Sequence, residues 1–209
     1  MAESWYERHL LPRLIDMGCA SPQVRALRRK VIPAAAGRVI EIGLGSGLNL
    51  PFYDPAKVSE VIGVDPAAAI LRRAESRIAA ALVPVSLERL SGEDLPFDDA
   101  VADSVVCTFT LCSIPDPAAA LAEMRRVLKP GGRMIFAEHG ASPDPGVRKW
   151  QDRVNRPWGR IAGGCNINRP ILALIETAGF RVARPETGYL RGAPRIMGYC
   201  ASGVAQRTN

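Results

Sequence analysis

The sequence predicts an α/β fold: a doubly wound, mostly parallel sheet of about seven strands, with helices on both faces and N-terminal lid helices. Three observations predict it. Short Val/Ile-rich runs alternate with amphipathic helical patterns, a glycine-rich turn follows the first run, and an acid ends the second. The runs Arg38–Ile42, Glu60–Val64, Val85–Leu90, Ser104–Thr108 and Met134–Glu138 have the length and composition of strands buried on both faces. Between them, Ile70, Leu71, Ala74, Ile78, Ala81 and Leu82 line one helical face. Leu121, Met124, Val127 and Leu128 line another, ahead of a Lys129–Pro130–Gly131–Gly132 stop. Helical segments at Ser4–Met17 and Ser21–Ile32 come first, and RVARPE (181–186) and PRIMGYCAS (194–202) read as final strands. Residues 1–209 therefore form one domain: a helical cap (1–36), a cofactor-binding core (37–140), and acceptor-side helices with the last strands (141–209).

The 209 residues carry a formal charge of +6 and are 47% hydrophobic and 23% charged, which excludes a chain disordered throughout. The last 62 residues hold 11 basic and 3 acidic groups, so all of the excess lies in the C-terminal third. Of the 27 cations 23 are Arg, a bias read first as plain codon usage and second as anion recognition. Stretches free of charged residues reach only 12, too short to span a bilayer, and a Glu at position 3 argues against a signal peptide. The five cysteines are scattered and form no CxxC, so neither a disulfide framework nor a metal site is expected; reduced thiols and a cytoplasmic setting are.

The first strand ends in VIEIGLGSGLNL (39–50), where Gly43, Gly45 and Gly47 are read as opening a helix. A dinucleotide fingerprint would need glycine at position 48, which is Leu48. Glu41 places before the turn a carboxylate that would repel a pyrophosphate and attract an ammonium. Asp65, in VIGVDP with Pro66 after it, stands where an acid takes both ribose hydroxyls. A ligand with an amine and a ribose but no phosphate at this point is S-adenosylmethionine. In the next two loops, SGEDLPF (91–97) would offer Gly92 and Glu93 backbone groups and the Asp94 carboxylate to the adenine, while Thr108 and Leu111 would lie beside the cofactor. As acidic surface turn and packing residues, these would look the same.

The strings EIGLGSG, GVDP, LPF and RRVLKPGG resemble the class I S-adenosylmethionine-dependent methyltransferases of the small-molecule, ubiquinone-biosynthesis-like type. These have a Rossmann-like sheet. That type usually has an acid where this chain has Ser91, which leaves Glu93 or Asp94 to substitute. More narrowly, SGED, DSVVCTFTLCSIPDP, FAEHG, WQ, GGCNINR and IMG are similar to the alkyl thiol S-methyltransferases. Those carry an N-terminal hydrophobic anchor that is not found here, so the resemblance implies a soluble relative.

Methyl transfer from a sulfonium is an in-line displacement that needs a base only where the acceptor must lose a proton. His139, after the fifth strand in FAEHG, is the candidate catalytic base, against the alternative of a hydrogen-bonded structural histidine; His9 reads as part of a solvated helix face. A thiol acceptor needs little machinery, because part of it is already thiolate near neutral pH. Trp150 and Trp158 could wall its pocket, or be core; Arg153, Arg156 and Arg160 have the spacing of a solvated face, and Cys165 in GGC that of a tight loop. The leading reading is methylation of a small thiol or sulfide. The alternatives are a quinone or phenol, a phospholipid amine, a nucleic acid, or a cofactor-binding module without turnover. CTFTLC after the fourth strand replaces the NPPY-like motif of base-amine enzymes, which argues against nucleic acid.

Overall fold

The computed structural model describes residues 5–208; Ser4, where the first helix was expected to start, lies outside them. The chain opens with a π-helical turn (Tyr6–Leu10), then α1 (Leu11–Cys19) and α2 (Pro22–Val31). The core follows as β1 (Gly37–Ile42), β2 (Val58–Val64), α3 (Ala68–Leu71), α4 (Glu75–Ala79), β3 (Val85–Glu88), β4 (Ala102–Thr108), α5 (Pro117–Val127) and β5 (Leu128–His139). It closes with α6 (Pro145–Ile161), α7 (Ile171–Thr177), β6 (Phe180–Val182), β7 (Glu186–Tyr189), α8 (Arg195–Gly198) and β8 (Tyr199–Arg207).

One eight-stranded sheet runs in the order β3-β2-β1-β4-β5-β8-β6, with β7 also paired to β8. The first five strands are parallel; β8 is antiparallel to β5, and β6 and β7 pair antiparallel along its far edge. The strand order reverses between β1 and β4, which opens a crevice beyond their C-terminal ends.

Strict alternation explains why these runs are strands. Val39, Val61, Val106 and Ile135 face Ile32, Leu50 and Leu71 on one side of the sheet. Ile40, Ile42, Val105, Cys107, Met134 and Phe136 face Leu121, Met124 and Ile175 on the other. With both faces covered, an apolar residue is wanted at every position. The helix starts are equally local: Asp116 accepts from the Ala118 and Ala119 N–H groups and Asp144 from those of Gly146 and Val147, each with proline in the first turn.

Three expectations are corrected. No helix follows the glycine turn; residues 43–49 stay in turns up to a 3₁₀ turn at Leu50–Phe52, because positive φ at Gly43, Gly45 and Gly47 and then Pro51 deny an α-helical start. The single helix expected over 70–82 is two short ones. Between them the Arg73 N–H bonds Ile70 O and the Ala74 N–H bonds Leu71 O, a tighter i→i+3 pattern, and Leu82 is left 77% exposed. Residues 195–198 of the expected last strand form α8 instead. Among the described residues, no helix is long and apolar enough to cross a membrane.

Candidate functional site

A cavity of about 280 Å³ fills the crevice at the ends of β1, β2 and β4. Its floor is the turn Gly43–Ser46; Asp65, Pro66 and Ala67 form one wall, Ser91 and Gly92 a second, and Thr108–Thr110 with Ser113–Pro115 a third. Ile15, Asp16 and Cys19 of α1, with Arg28 of α2, roof it. The expected residues Gly43, Gly45, Asp65, Pro66, Gly92 and Thr108 thus share one space.

The turn can lie so close to β4 only because residue 43 is glycine: its φ is +73°, and a Cβ there would overlap the Thr110 side chain. Asp65 is anchored at both oxygens, by the Gly45 N–H (2.9 Å) and the Ala67 N–H (2.9 Å). Burial raises its carboxyl, and those two donors pull it back. Each oxygen keeps a further lone pair for a ligand hydroxyl.

The other five expected residues stand off the cavity. Glu41, 1% exposed, spends its oxygens on Asn49 Nδ2 (2.8 Å) and the Tyr53 hydroxyl (2.6 Å), so no ammonium reaches it. Gly47 belongs to the turn but packs toward Leu50 and Ala74. The Glu93 carboxylate accepts from Ser91 Oγ (2.7 Å) and the Asp116 N–H (2.6 Å), Asp94 points to solvent, and Leu111 is wholly buried in the core. Neither tryptophan lines the cavity: Trp150 is 58% exposed under Arg153, and Arg153, Arg156 and Arg160 are a solvated face.

Sequence reading missed the support of this site. Asn49 bridges Glu41 to Thr108 Oγ1 (2.9 Å), and Arg28 Nη1 donates to both Asn49 Oδ1 (2.7 Å) and Thr108 Oγ1 (2.6 Å). Arg28 is 5% exposed, its Nε is sealed off without a partner, and the residue lines the cavity, so a buried cation stands beside that space. Asp16, in the otherwise apolar LIDM, clasps the roof to the floor through Ser46 Oγ (2.5 Å), Arg73 (2.8 Å) and Arg77 (3.4 Å). Burial alone would raise Asp16; Ser46 and the two guanidiniums hold it below its ordinary value. A lone acid on an apolar helix face was the one signal available.

Burial pushes the Glu41 carboxyl from 4.5 to about 7, against the pull of Tyr53, Asn49 and Arg28. Between those values the unfolded carboxyl ionises while the folded one stays protonated, so stability falls as pH rises through that window. Glu41→Gln removes the effect. Its stability advantage over the wild type is expected to grow by about 3 kcal/mol from about pH 4.5 to pH 7 and then level off. Denaturant midpoints of both proteins across that range check this, and a pH-independent gap would mean that Glu41 is ionised throughout.

His139 lies one layer behind the cavity wall. Its ring stacks on Phe109 (centroids 6.4 Å apart), its Nε2 is 3.3 Å from Cys165 Sγ, and its buried Nδ1 has no partner. Phe109, which does line the cavity, holds φ at +53°, a strained value for a residue with a side chain. Cys112, His139 and Cys165, scattered in sequence, converge here with ligand atoms within 4.8 Å of one another. The Cys165 thiol is pushed up by its contact with Cys112 and by burial. Gln151, fully buried, ties the neighbouring segments by donating to Gly140, Ile167 and Ile196 carbonyls and accepting from the Ser142 N–H.

The lining suits S-adenosylmethionine: Asp65 can meet a ribose diol, and the charge of the buried Arg28 favours an α-carboxylate in the same cavity. The pattern of a family described as a methyltransferase domain matches residues 40–136. The chain is 34% identical over 186 residues to thiol S-methyltransferase TMT1B of Homo sapiens, covering 81% of this chain and 73% of that one. It is 32% identical over 134 residues to the ubiquinone/menaquinone biosynthesis C-methyltransferase UbiE of a Geobacter species, covering 62% and 57%. The S-adenosylmethionine-dependent methyltransferase of Mesorhizobium loti shares the fold, with a TM-score of 0.67 at 19% identity over 90% of this chain and 99% of that one. Strand order, a cavity at the sheet's switch point and this degree of identity converge: the chain belongs to the class I S-adenosylmethionine-dependent methyltransferases.

Proposed function

We propose that this methyltransferase acts on a small thiol or sulfide. The observation that carries the reading is the chemistry of the cavity wall: its only acids, Asp16 and Asp65, are committed to Ser46, Arg73 and Arg77 and to two backbone N–H groups, and no histidine lines it. Such a cavity suits an acceptor that ionises unaided, and a thiol does so far more readily than a phenol. The similarity to thiol S-methyltransferase TMT1B supports the same class. Bound S-adenosylmethionine supplies an electrophilic methyl group on a sulfonium. Asp65 would hold its ribose, the charge of Arg28 would favour its carboxylate, Gly43 and Gly45 let the chain approach it, and Phe109, Ile114 and Ile15 keep the acceptor side dry. Unpaired cysteines fit the cytoplasmic setting.

The UbiE similarity favours the rival reading, carbon methylation of a quinone. Purified protein is to be incubated with S-adenosylmethionine and a panel of alkyl and aromatic thiols, phenols, demethylquinols and phosphatidylethanolamine vesicles, with products read by mass spectrometry. S-methyl products are expected, with kcat/KM rising with pH along each thiol's own ionisation. Turnover of a quinol or phenol but no thiol would overturn the proposal.

A further inference from the structure

We propose that Cys112, His139 and Cys165 form a binding site for a thiophilic divalent cation, zinc above all. They stand 27 and 26 residues apart and belong to three segments: the turn after β4, the last residue of β5, and the loop between α6 and α7. Their ligand atoms lie within 4.8 Å of one another, with Cys165 Sγ and His139 Nε2 at 3.3 Å. Zinc held about 2.3 Å from sulfur and 2.0–2.1 Å from nitrogen sets tetrahedral ligand atoms roughly 3.5–3.8 Å apart, so the cluster needs to contract by about 1 Å at most. Two thiolates and an imidazole select zinc over the oxygen-seeking magnesium and calcium. Three protein ligands leave a fourth position for water or another small ligand.

The surroundings are built to hold this geometry. The Cys112 carbonyl accepts from the Asn166 N–H (2.8 Å) and from Asn166 Nδ2 (3.1 Å), and Asn155 Nδ2 in turn donates to Asn166 Oδ1 (2.9 Å), so the two cysteine-bearing loops are braced without the cation. Arg169 holds the turn that carries Cys112 by donating to the carbonyls of Leu111 and Ile114, and Glu138 holds it from the other side through the Thr110 and Leu111 N–H groups. On binding, each thiol releases its proton to water and forms a metal–sulfur bond. Two thiolates and a divalent ion sum to zero charge, so the sheltered site gains no uncompensated charge. Ser113 and Gly163, beside these loops, line the cavity, as does Phe109, stacked on His139. The cation would therefore pin the α6–α7 loop to the β4–α5 turn along the cavity wall, whichever acceptor the enzyme takes.

The test is cobalt(II) titration of the reduced, metal-free full chain, followed by zinc displacement. Thiolate-to-cobalt charge-transfer absorption is expected to saturate at one equivalent per chain and to be abolished by zinc. Cys112→Ser, Cys165→Ser and His139→Gln are each expected to weaken the complex by about 100-fold or more, whereas Cys19→Ser leaves it unchanged. Should a variant fail to fold, alkylation of the wild type decides: zinc is to slow modification of Cys112 and Cys165 at least about tenfold without slowing that of Cys19. No stoichiometric complex, a complex indifferent to the three variants, equal alkylation with and without zinc, or a Cys112–Cys165 disulfide that persists in reductant would each overturn the site. None of these readouts depends on methyl transfer.

Discussion

Replacing Asp65 with alanine is expected to weaken S-adenosylmethionine binding by about 100-fold or more while leaving the sheet folded. The carboxylate lines the cavity at 8% exposure and its oxygens are aligned by the Gly45 and Ala67 N–H groups, so the lone pairs left over are oriented before any ligand arrives. A hydrogen bond to a charged group contributes about 1.5–3 kcal/mol, and a ribose diol makes two, so losing both costs roughly 3 kcal/mol or more. The variant also frees the Gly45 N–H at the floor of the site, which adds to the loss. Asparagine is no remedy, because its amide would set a donor against one of the two backbone N–H groups. Calorimetric titration with S-adenosylhomocysteine reads the affinity and circular dichroism the fold. A loss of tenfold or less would remove Asp65 from the ribose role.

Gly43→Ala is expected to destabilise the protein by about 3 kcal/mol, roughly 10 °C in Tm for a chain of this size. Two costs add. The backbone at φ +73° is left-handed, which costs a residue with a Cβ about 1–2 kcal/mol. The new methyl also overlaps the Thr110 side chain down to its Cβ, so rotating that side chain gives no relief, and the Thr110 N–H bond to Glu138 Oε1 at 2.8 Å resists a backbone shift. Forced overpacking of this kind costs about 1–3 kcal/mol. Gly18→Ala, within α1 and with nothing within 4 Å of the added carbon, is the control and is expected to be neutral or slightly stabilising. A Gly43→Ala protein that melted with the wild type would show that the turn can relax away from β4.

Much of the fold was legible because its causes are local or periodic. A strand covered on both faces is apolar at nearly every position, so Val39–Ile40 and Val105–Cys107 announce themselves, and Asp116–Pro117 and Asp144–Pro145 mark helix starts with their own side chains. Glycines before Asp65 likewise mark the tight turn at the end of β1, since only a backbone free of Cβ can turn there against β4. The failures share a cause. The 70–82 pattern does not reveal the i→i+3 bonds that split the helix, and α8 replaces a strand where Gln151 takes the Ile196 carbonyl.

The site divides in the same way. Residue type and spacing directed Gly43, Gly45, Asp65, Pro66, Gly92 and Thr108 to the crevice, where those residues line one cavity, because a strand's end points to the crevice and the turn after it is short. They could not identify who occupies Glu41. Its partners Asn49 and Tyr53 come back to it as the chain folds around the 3₁₀ turn after β1, and Arg28, bonded to Asn49, arrives only when α2 packs across the sheet. Nor does spacing reveal that Cys112, His139 and Cys165 meet: a cluster is legible when one loop carries it, and here a turn, a strand end and an inter-helix loop supply one residue each. The chain's local chemistry thus determined the sheet, the glycine turn and the cofactor class. Tertiary packing alone decided which acids are free to act, which are consumed in holding the site together, and which thiols meet His139, because those are matters of long-range contact.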